Sequence, residues 1–348
     1  MLKKNALLLK ILDRAKDERA SDIHFSSNNH ISFRIDGDIQ IVKDLKILSV
    51  KDIVGLISPI MNDFVKKSFE KHKQVDFAFT GNNKMRYRIN VYKTIHGISV
   101  AFREIDNNIR TLDDLKTPAI LKKFCEAQKG LIIVSGPTGS GKSTTLAAMI
   151  DYINTNFKKH IITIEDPVEF IHNSKKSIID QRELGRDAES FAMALKGALR
   201  EDPDIIMVGE MRDPETIKMA LTAAETGHLV FATLHTLSAA KTIDRIIDAC
   251  DASEKEMIRT ILSTSLKGVV LQTLLKKSEG TGRIASFEIM VAIDAIKNLI
   301  REDRVHQIDS MIQTGQKFGM VTMKDFTMNL LETGAIDSSE AQKILITL

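Results

Sequence analysis

Residues 131–144 read LIIVSGPTGSGKST. An apolar run ends at Val134, Gly136 is followed by four residues, and Gly141, Lys142 and Ser143 then open a stretch with helical character. Glycines at this spacing between a strand and a helix form a phosphate-binding loop. They let the backbone curl so that successive N–H groups converge on phosphate oxygens, and the helix that follows adds the positive end of its dipole. Lys142 supplies a point charge to the β- and γ-phosphates, and Ser143 offers a hydroxyl to Mg²⁺. Gly136, Pro137, Thr138, Gly139, Ser140, Gly141, Lys142, Ser143 and Thr144 are therefore the candidate nucleotide-binding set, with ATP and Mg²⁺ as the expected ligands. The competing reading is a glycine-rich turn that binds nothing. It is disfavoured because motif and strand–helix context agree.

Downstream of the loop, short all-apolar strands alternate with helical segments: IITIE, DIIMVGE and HLVFATLH. That alternation predicts a parallel sheet covered on both faces, hence an α/β domain over residues 119–255. Residues 256–348 show few strand signals and are expected to form a helical subdomain. Upstream the pattern differs. An amphipathic helix is predicted over 5–19, followed by the strand-like IHF, HISFRI and IQIV, with the DGD of residues 36–38 as a turn. Ser49 and Asp52 form a capping box that opens one helix, and another is expected over 63–72. VDFAFT, the turn GNNK, RYRINVY, a break at HG and ISVAFREI complete a small antiparallel α+β domain over residues 1–105. The polar, proline-ended stretch DNNIRTLDDLKTP at 106–118 is the expected linker.

A chain of 348 residues can hold two or three apolar cores, and 43% hydrophobic against 27% charged residues excludes a disordered or fibrous class. The formal charge of +3 provides no global field for nucleic acid, and no aromatic-basic strand pattern of single-strand binders is present, so no nucleic-acid partner is expected. Cys125 and Cys250 stand far apart without CxxC spacing, so neither a disulfide framework nor a structural zinc site is suggested, and a reducing cytoplasm fits. No apolar run reaches the length of a membrane span, and LLLKIL followed by DRAKDERA lacks the form of a signal peptide, so any membrane role is expected through partners.

Acids stand where apolar strands end. In TIEDPVEF, Glu165 and Asp166 follow IITI, with Pro167 turning the chain out of the sheet; IIMVGE ends in Glu210. In open α/β sheets the ligand lies beyond the carboxyl ends of the strands. Nucleotide-bound magnesium takes one or two carboxylates, and the attacking water needs one placed acceptor. Glu210 is assigned to the magnesium shell with Ser143, and Glu165 to polarising the water, with exchanged roles left open. Glu169 is a weaker candidate, and strand-end acids on a solvated rim are the competing reading.

His228 and His235 flank an apolar strand, and seven residues at about 3.3 Å each separate them by roughly 20 Å, so only one can meet the phosphate. His235 is at the carboxyl end and takes the γ-phosphate role. His228 then belongs to another surface, with a subunit contact as one reading. In RYRINVY, Arg86, Arg88 and Asn90 share one face, and ISVAFRE adds Arg103. Arginines on one element suit an arginine finger that reaches a neighbouring subunit's phosphoryl group. A solvated face is the alternative, and Arg200 is a further sensor or salt-bridge candidate.

The stretches GPTGSGKST, TIEDPVEF, LREDPDIIMVGEMRD and AAETGHLVFATLHT, in this order, resemble the Walker A, aspartate, Walker B and histidine boxes of the secretion and pilus ATPase family, the motors of type II and type IV systems. ASDIHFS and RIDGDI resemble that family's amino-terminal domain, and SFEIM with AIKNLIRE resembles a carboxy-terminal motif of its pilus-retraction branch. The resemblance implies a PAS-like amino-terminal domain, a RecA-like P-loop ATPase domain, a homo-hexameric ring and Mg-ATP hydrolysis between adjacent subunits. It also implies docking to an inner-membrane pilus platform protein, with pilus retraction and twitching motility as the output. Lys297 replaces the usual arginine of the retraction motif and Phe25 a common leucine, and neither touches the nucleotide chemistry. The expected absence of an extended amino-terminal domain and of a tetracysteine insert favours retraction over pilus assembly or type II secretion. An accessory retraction ATPase, and a nucleotide-gated scaffold without productive hydrolysis, are the other readings.

Overall fold

The computed structural model describes residues 6–35, 37–81, 85–105 and 108–346. Parts of the two expected turns (Asp36; Asn82, Asn83 and Lys84) and the start of the expected linker (Asp106, Asn107) lie outside the described residues. The chain divides into two compact units: Met1–Asn108 with Pro167–Ile171 and Glu183–Glu189, and Ile109–Asp166 with His172–Arg182 and Ser190–Leu348.

The first unit is built from α1 (Ala6–Asp17), β1 (Asp22–Ser26), β2 (Ser32–Ile35), β3 (Asp38–Ile41), α2 (Val50–Ile57), α3 (Asp63–His72), β4 (Gln74–Thr80), β5 (Arg86–Thr94) and β6 (Gly97–Ile105). Its six strands form an antiparallel sheet in the order β3-β2-β1-β6-β5-β4. Leu8, Ile11, Leu12 and Ala15 recur at helical spacing and are buried, so α1 lays one stripe into the core with Phe25, Phe33 and Phe102. The capping box at Ser49 is formed: its hydroxyl accepts from the Asp52 N–H while the Asp52 carboxylate accepts from the Ser49 N–H.

The second unit contains α4 (Ile120–Cys125), β7 (Gly130–Ser135), α5 (Lys142–Asn156), β8 (His160–Glu165), β9 (Ile178–Glu183), α6 (Phe191–Ala198), β10 (Ile205–Val208), α7 (Pro214–Thr226), β11 (Leu229–Leu234), α8 (Ala239–Asp248) and α9 (Lys255–Ser265). They are followed by β12 (Leu266–Lys276), β13 (Arg283–Val291), α10 (Asp294–Arg301), α11 (Ile308–Gln313), α12 (Met323–Glu332) and α13 (Ser338–Leu345). The sheet order is β13-β12-β7-β11-β10-β8-β9, and β12, β7, β11, β10 and β8 run parallel. Every residue of β7, β10 and β11 is buried, as continuous apolar strands covered on both faces require.

Two expectations are corrected here. The section from residue 256 is not wholly helical: β12 and β13 form an antiparallel hairpin that extends the central sheet beside β7. The run VVLQTLL is apolar enough to read as helix or strand. Its β-branched pair Val269 and Val270, and the turn glycines Gly280 and Gly282 at φ +78° and +79°, mark the hairpin. The expected linker is also partly folded. Leu112 is buried in the same core cluster as Leu121 and Phe124, and Thr111 and Asp114 close a hydrogen-bonded turn.

Candidate active site

The loop between β7 and α5 is shaped by what a side chain would strike. A Cβ on Gly136, at φ +141°, would lie 2.2 Å from the Gln272 carbonyl oxygen, and one on Gly141, at φ +89°, would lie 2.7 Å from Gln272 Nε2. Only glycine fits at either point. Lys142 is buried, and its Nζ donates to the carbonyls of Gly136 (2.8 Å) and Pro137 (3.0 Å). The buried Ser140 hydroxyl finds no hydrogen-bond partner among the described residues. Ser143 is exposed at the first turn of α5.

The parallel register brings the strand ends together. Ser135 lies opposite Leu234, Ala232 opposite Val208, and Val208 opposite Ile164, so His235, Glu210 and Glu165 emerge from neighbouring strands on the side of the loop. His235 stands in the middle of a continuous line: Nδ1 is 3.3 Å from Lys142 Nζ and Nε2 is 3.3 Å from Glu210 Oε1. Glu210 also meets Arg212 at 2.7 Å. Burial raises the carboxyl pKa of Glu210, but the ion pair with Arg212 and the proximity of His235 outweigh it and hold the group below its ordinary value. Glu165 is buried and accepts from Thr163 Oγ1 (2.7 Å) and from Gln181 Nε2 (3.3 Å). Glycine at 209 lets β10 pass close to Glu165, since a Cβ there would lie 3.2 Å from the Glu165 Cα.

His228 stands apart from this group, as its position at the start of β11 requires. Its Nδ1 donates to the Ala223 carbonyl at 2.9 Å, closing the end of α7. Glu169 is half-buried and belongs to the first unit, and Arg200 is exposed. The expectation that this arginine face is open is corrected at one position. Arg86 is buried: Nη2 pairs with Glu183 at 2.6 Å and Nε donates to the Val168 carbonyl at 2.9 Å. Strand periodicity placed it beside Arg88, but the segments 167–171 and 183–189, distant in sequence, cover it. Arg86 is thus a structural ion-pair member. Arg88 meets Asp76 at 3.4 Å and Arg103 meets Asp22 at 2.8 Å, with both guanidinium groups reaching solvent.

Four residues escaped the sequence reading: Thr163 and Gln181, which hold Glu165; Arg212, which holds Glu210; and Gln272, which packs on the loop. A lone amide in the buried run VVLQTLL was the available signal for Gln272. Among the described residues no group of three or more His, Cys, Asp or Glu side chains is placed to hold a metal ion. A nucleotide-bound magnesium needs fewer, because phosphates and water complete its shell. The exposed Ser143 hydroxyl and the Glu210 carboxylate are donors of the type such an ion takes.

The sequence matches the family described as Type II/IV secretion system protein over residues 3–335. It is 51% identical to the Twitching motility protein of Neisseria gonorrhoeae, covering 89% of this chain and 83% of that protein. It is 48% identical to the Type IV pilus retractation ATPase PilT of Pseudomonas aeruginosa, covering 97% of each. Among solved structures, the pilus retraction motor PilT with bound ADP superposes with a TM-score of 0.88 at 44% identity over 96% of each chain.

Proposed function

We propose, from the premise that this chain belongs to the type II/IV secretion system protein family, that it is an ATP-hydrolysing motor that retracts a type IV pilus. The observation that carries this reading is the line Lys142–His235–Glu210, drawn from the start of α5 across the ends of the adjacent parallel strands β11 and β10, beside the glycine loop. The similarity to a retraction ATPase over almost the whole of both chains supports the load and its direction.

The chemistry follows from the placement of these groups. Backbone N–H groups of residues 136–143 and the amino end of α5 hold the phosphates. Lys142 leaves the Gly136 and Pro137 carbonyls for the β- and γ-phosphate oxygens, a short swing for a flexible ammonium. His235, next in the line, reads whether a γ-phosphate is present. Ser143 and Glu210 would hold magnesium, which neutralises charge developing on the transferring group. Glu210 suits that task because its carboxyl is held ionised. Glu165, braced by Thr163 and Gln181, orients the attacking water. Arg88 and Arg103 serve a neighbouring subunit's nucleotide in a homo-hexameric ring, and the ring works against an inner-membrane platform protein. No helix among the described residues is long and apolar enough to cross a membrane, so the link to the membrane is assigned to that partner.

The test is a deletion strain complemented with the wild-type chain or with Lys142→Ala. The wild type should restore twitching, while the deletion and Lys142→Ala strains should be immobile with surface pili retained or accumulated. Loss of pili in the deletion strain would instead assign assembly and overturn the proposed direction. Purified wild type that fails to hydrolyse Mg-ATP would overturn the enzyme.

A further inference from the structure

Gln272 lies on β12, is 2% exposed, and places every polar atom of its side chain on the phosphate loop or its helix. Its Nε2 donates to the Ser140 carbonyl at 2.8 Å, and its Oε1 accepts from Thr145 Oγ1, in the first turn of α5, at 2.7 Å. The register sets it one residue beyond Leu271, which pairs with Ser135 at the end of β7, so the amide stands where the loop departs from the sheet. The loop's two constrained glycines are shaped by the same residue: Gly136 by the Gln272 carbonyl oxygen and Gly141 by its Nε2. One residue thus bounds the loop at its entry, its last turn and its helix.

We infer that Gln272 is a positioning residue for nucleotide phosphate, acting through the loop and not on the ligand; this rests on the nucleotide-site reading above. The peptide unit is planar and trans, so its C=O and N–H point in opposite directions. With the Ser140 carbonyl pinned to β12, the Gly141 N–H points away from β12 and is kept free for an anion. Thr145 fixes α5 to the same amide, so the loop's N–H groups and the helix amino end are held in one mutual arrangement before ligand arrives. Preorganisation of this kind adds affinity by removing an ordering cost from the binding step.

The full-length chain is titrated calorimetrically with ADP, and thermal unfolding without nucleotide is measured alongside. Gln272→Leu keeps the volume but leaves the Ser140 carbonyl and the Thr145 hydroxyl without their partner. It should weaken ADP binding by about tenfold. Thr145→Val, which leaves the strand untouched, should weaken it by about threefold, and the double variant should be no worse than Gln272→Leu alone, since both act through one amide. Gln272→Glu supplies a readout that a space-filling role would not move. The neutral carboxyl can donate to Ser140 and accept from Thr145 as the amide does, whereas the carboxylate turns an acceptor against the Ser140 carbonyl. Its affinity relative to wild type should be near normal at acidic pH and fall as the pH rises. Wild-type affinity in both Gln272→Leu and Thr145→Val, or a Gln272→Glu deficit that does not change with pH, would overturn the inference. Failure of the wild type itself to bind ADP would sink the nucleotide site as a whole, a different result from equal binding by all variants.

Discussion

His172 is a neutral imidazole in a dry place. It is 8% exposed, its Nδ1 has no hydrogen-bond partner among the described residues, and burial pushes its pKa from 6.5 down to about 4. A folded pKa below the unfolded one means that the unfolded chain binds the proton first as the pH falls. The stabilising contribution is therefore complete above the unfolded value and is lost between pH 6.5 and about 4. At pH 5 the loss should amount to about 2 kcal/mol. His172→Gln should flatten this part of the stability profile, as chemical denaturation at pH 7.5 and pH 5 would report; an unchanged difference between the two proteins would contradict it. The same residue borders the site through its main chain: the His172 backbone N–H donates to Gln181 Oε1 while Gln181 Nε2 braces Glu165. Glu210 presents the opposite case, an acid whose ionised form is favoured. Its carboxyl sits below the ordinary value because Arg212 and His235 outweigh burial, so the carboxylate persists until the pH falls through that lowered value. Removing Arg212 should move the acid limb of the ATPase profile to higher pH. Glu210→Gln should lower turnover by at least about a hundredfold at every pH. Steady-state rates from pH 4.5 to 8 would check both.

At the level of elements, the buried Arg86–Glu183 pair fixes β5 to the segment Glu183–Glu189 within the first unit. The Glu183 carboxylate also accepts the Val168 N–H at 3.1 Å, so one acid gathers three chain segments. Removing one partner leaves the other charge buried, and Glu183→Leu should cost about 3 kcal/mol of stability. Arg86→Met combined with Glu183→Leu should recover much of that loss; thermal melts of the three variants would decide, and additive losses would argue against a coupled pair. This contact also marks where sequence reading ends. Strand period correctly put Arg86, Arg88 and Asn90 on one face, yet the cover over Arg86 comes from residues more than eighty positions away, and no local pattern encodes it. Elements with their own signals were legible: the stripe of α1, the Ser49–Asp52 cap, and the strand–loop–helix around Gly136. The positions of the acids at strand ends and of His235 followed from the sheet rule, and the structure places them on neighbouring strands. Gln272, Thr163 and Gln181 drew no role because a buried amide or hydroxyl in a strand is meaningful only once its hydrogen-bond partner in the fold is known. The β12–β13 hairpin was missed for a related reason, since an apolar run acquires its geometry from the strand it pairs with.

For the molecule as a whole, turnover requires positive charge at the transition state. Lys142 is the cation committed to the loop, and the guanidinium of Arg212 is engaged by Glu210. Charge spreading over a transferring γ-phosphoryl group is commonly met by an arginine supplied from a neighbouring chain. Arg88 and Arg103 carry solvent-reaching guanidinium groups on β5 and β6 of the first unit and are proposed as the donors. If they act across a subunit border, a chain lacking them can still bind ATP, and a chain lacking Lys142 can still lend its arginines. Arg88→Ala with Arg103→Ala should therefore abolish turnover, as should Lys142→Ala. An equimolar mixture of the two defective proteins should nevertheless regain a measurable fraction of wild-type ATPase, because some borders then combine an intact loop with intact arginines. Activity per wild-type protomer should also rise with protein concentration as rings assemble. A mixture as inactive as its components, under conditions where mixed oligomers are demonstrated, would mean that the arginines serve their own chain's nucleotide or none.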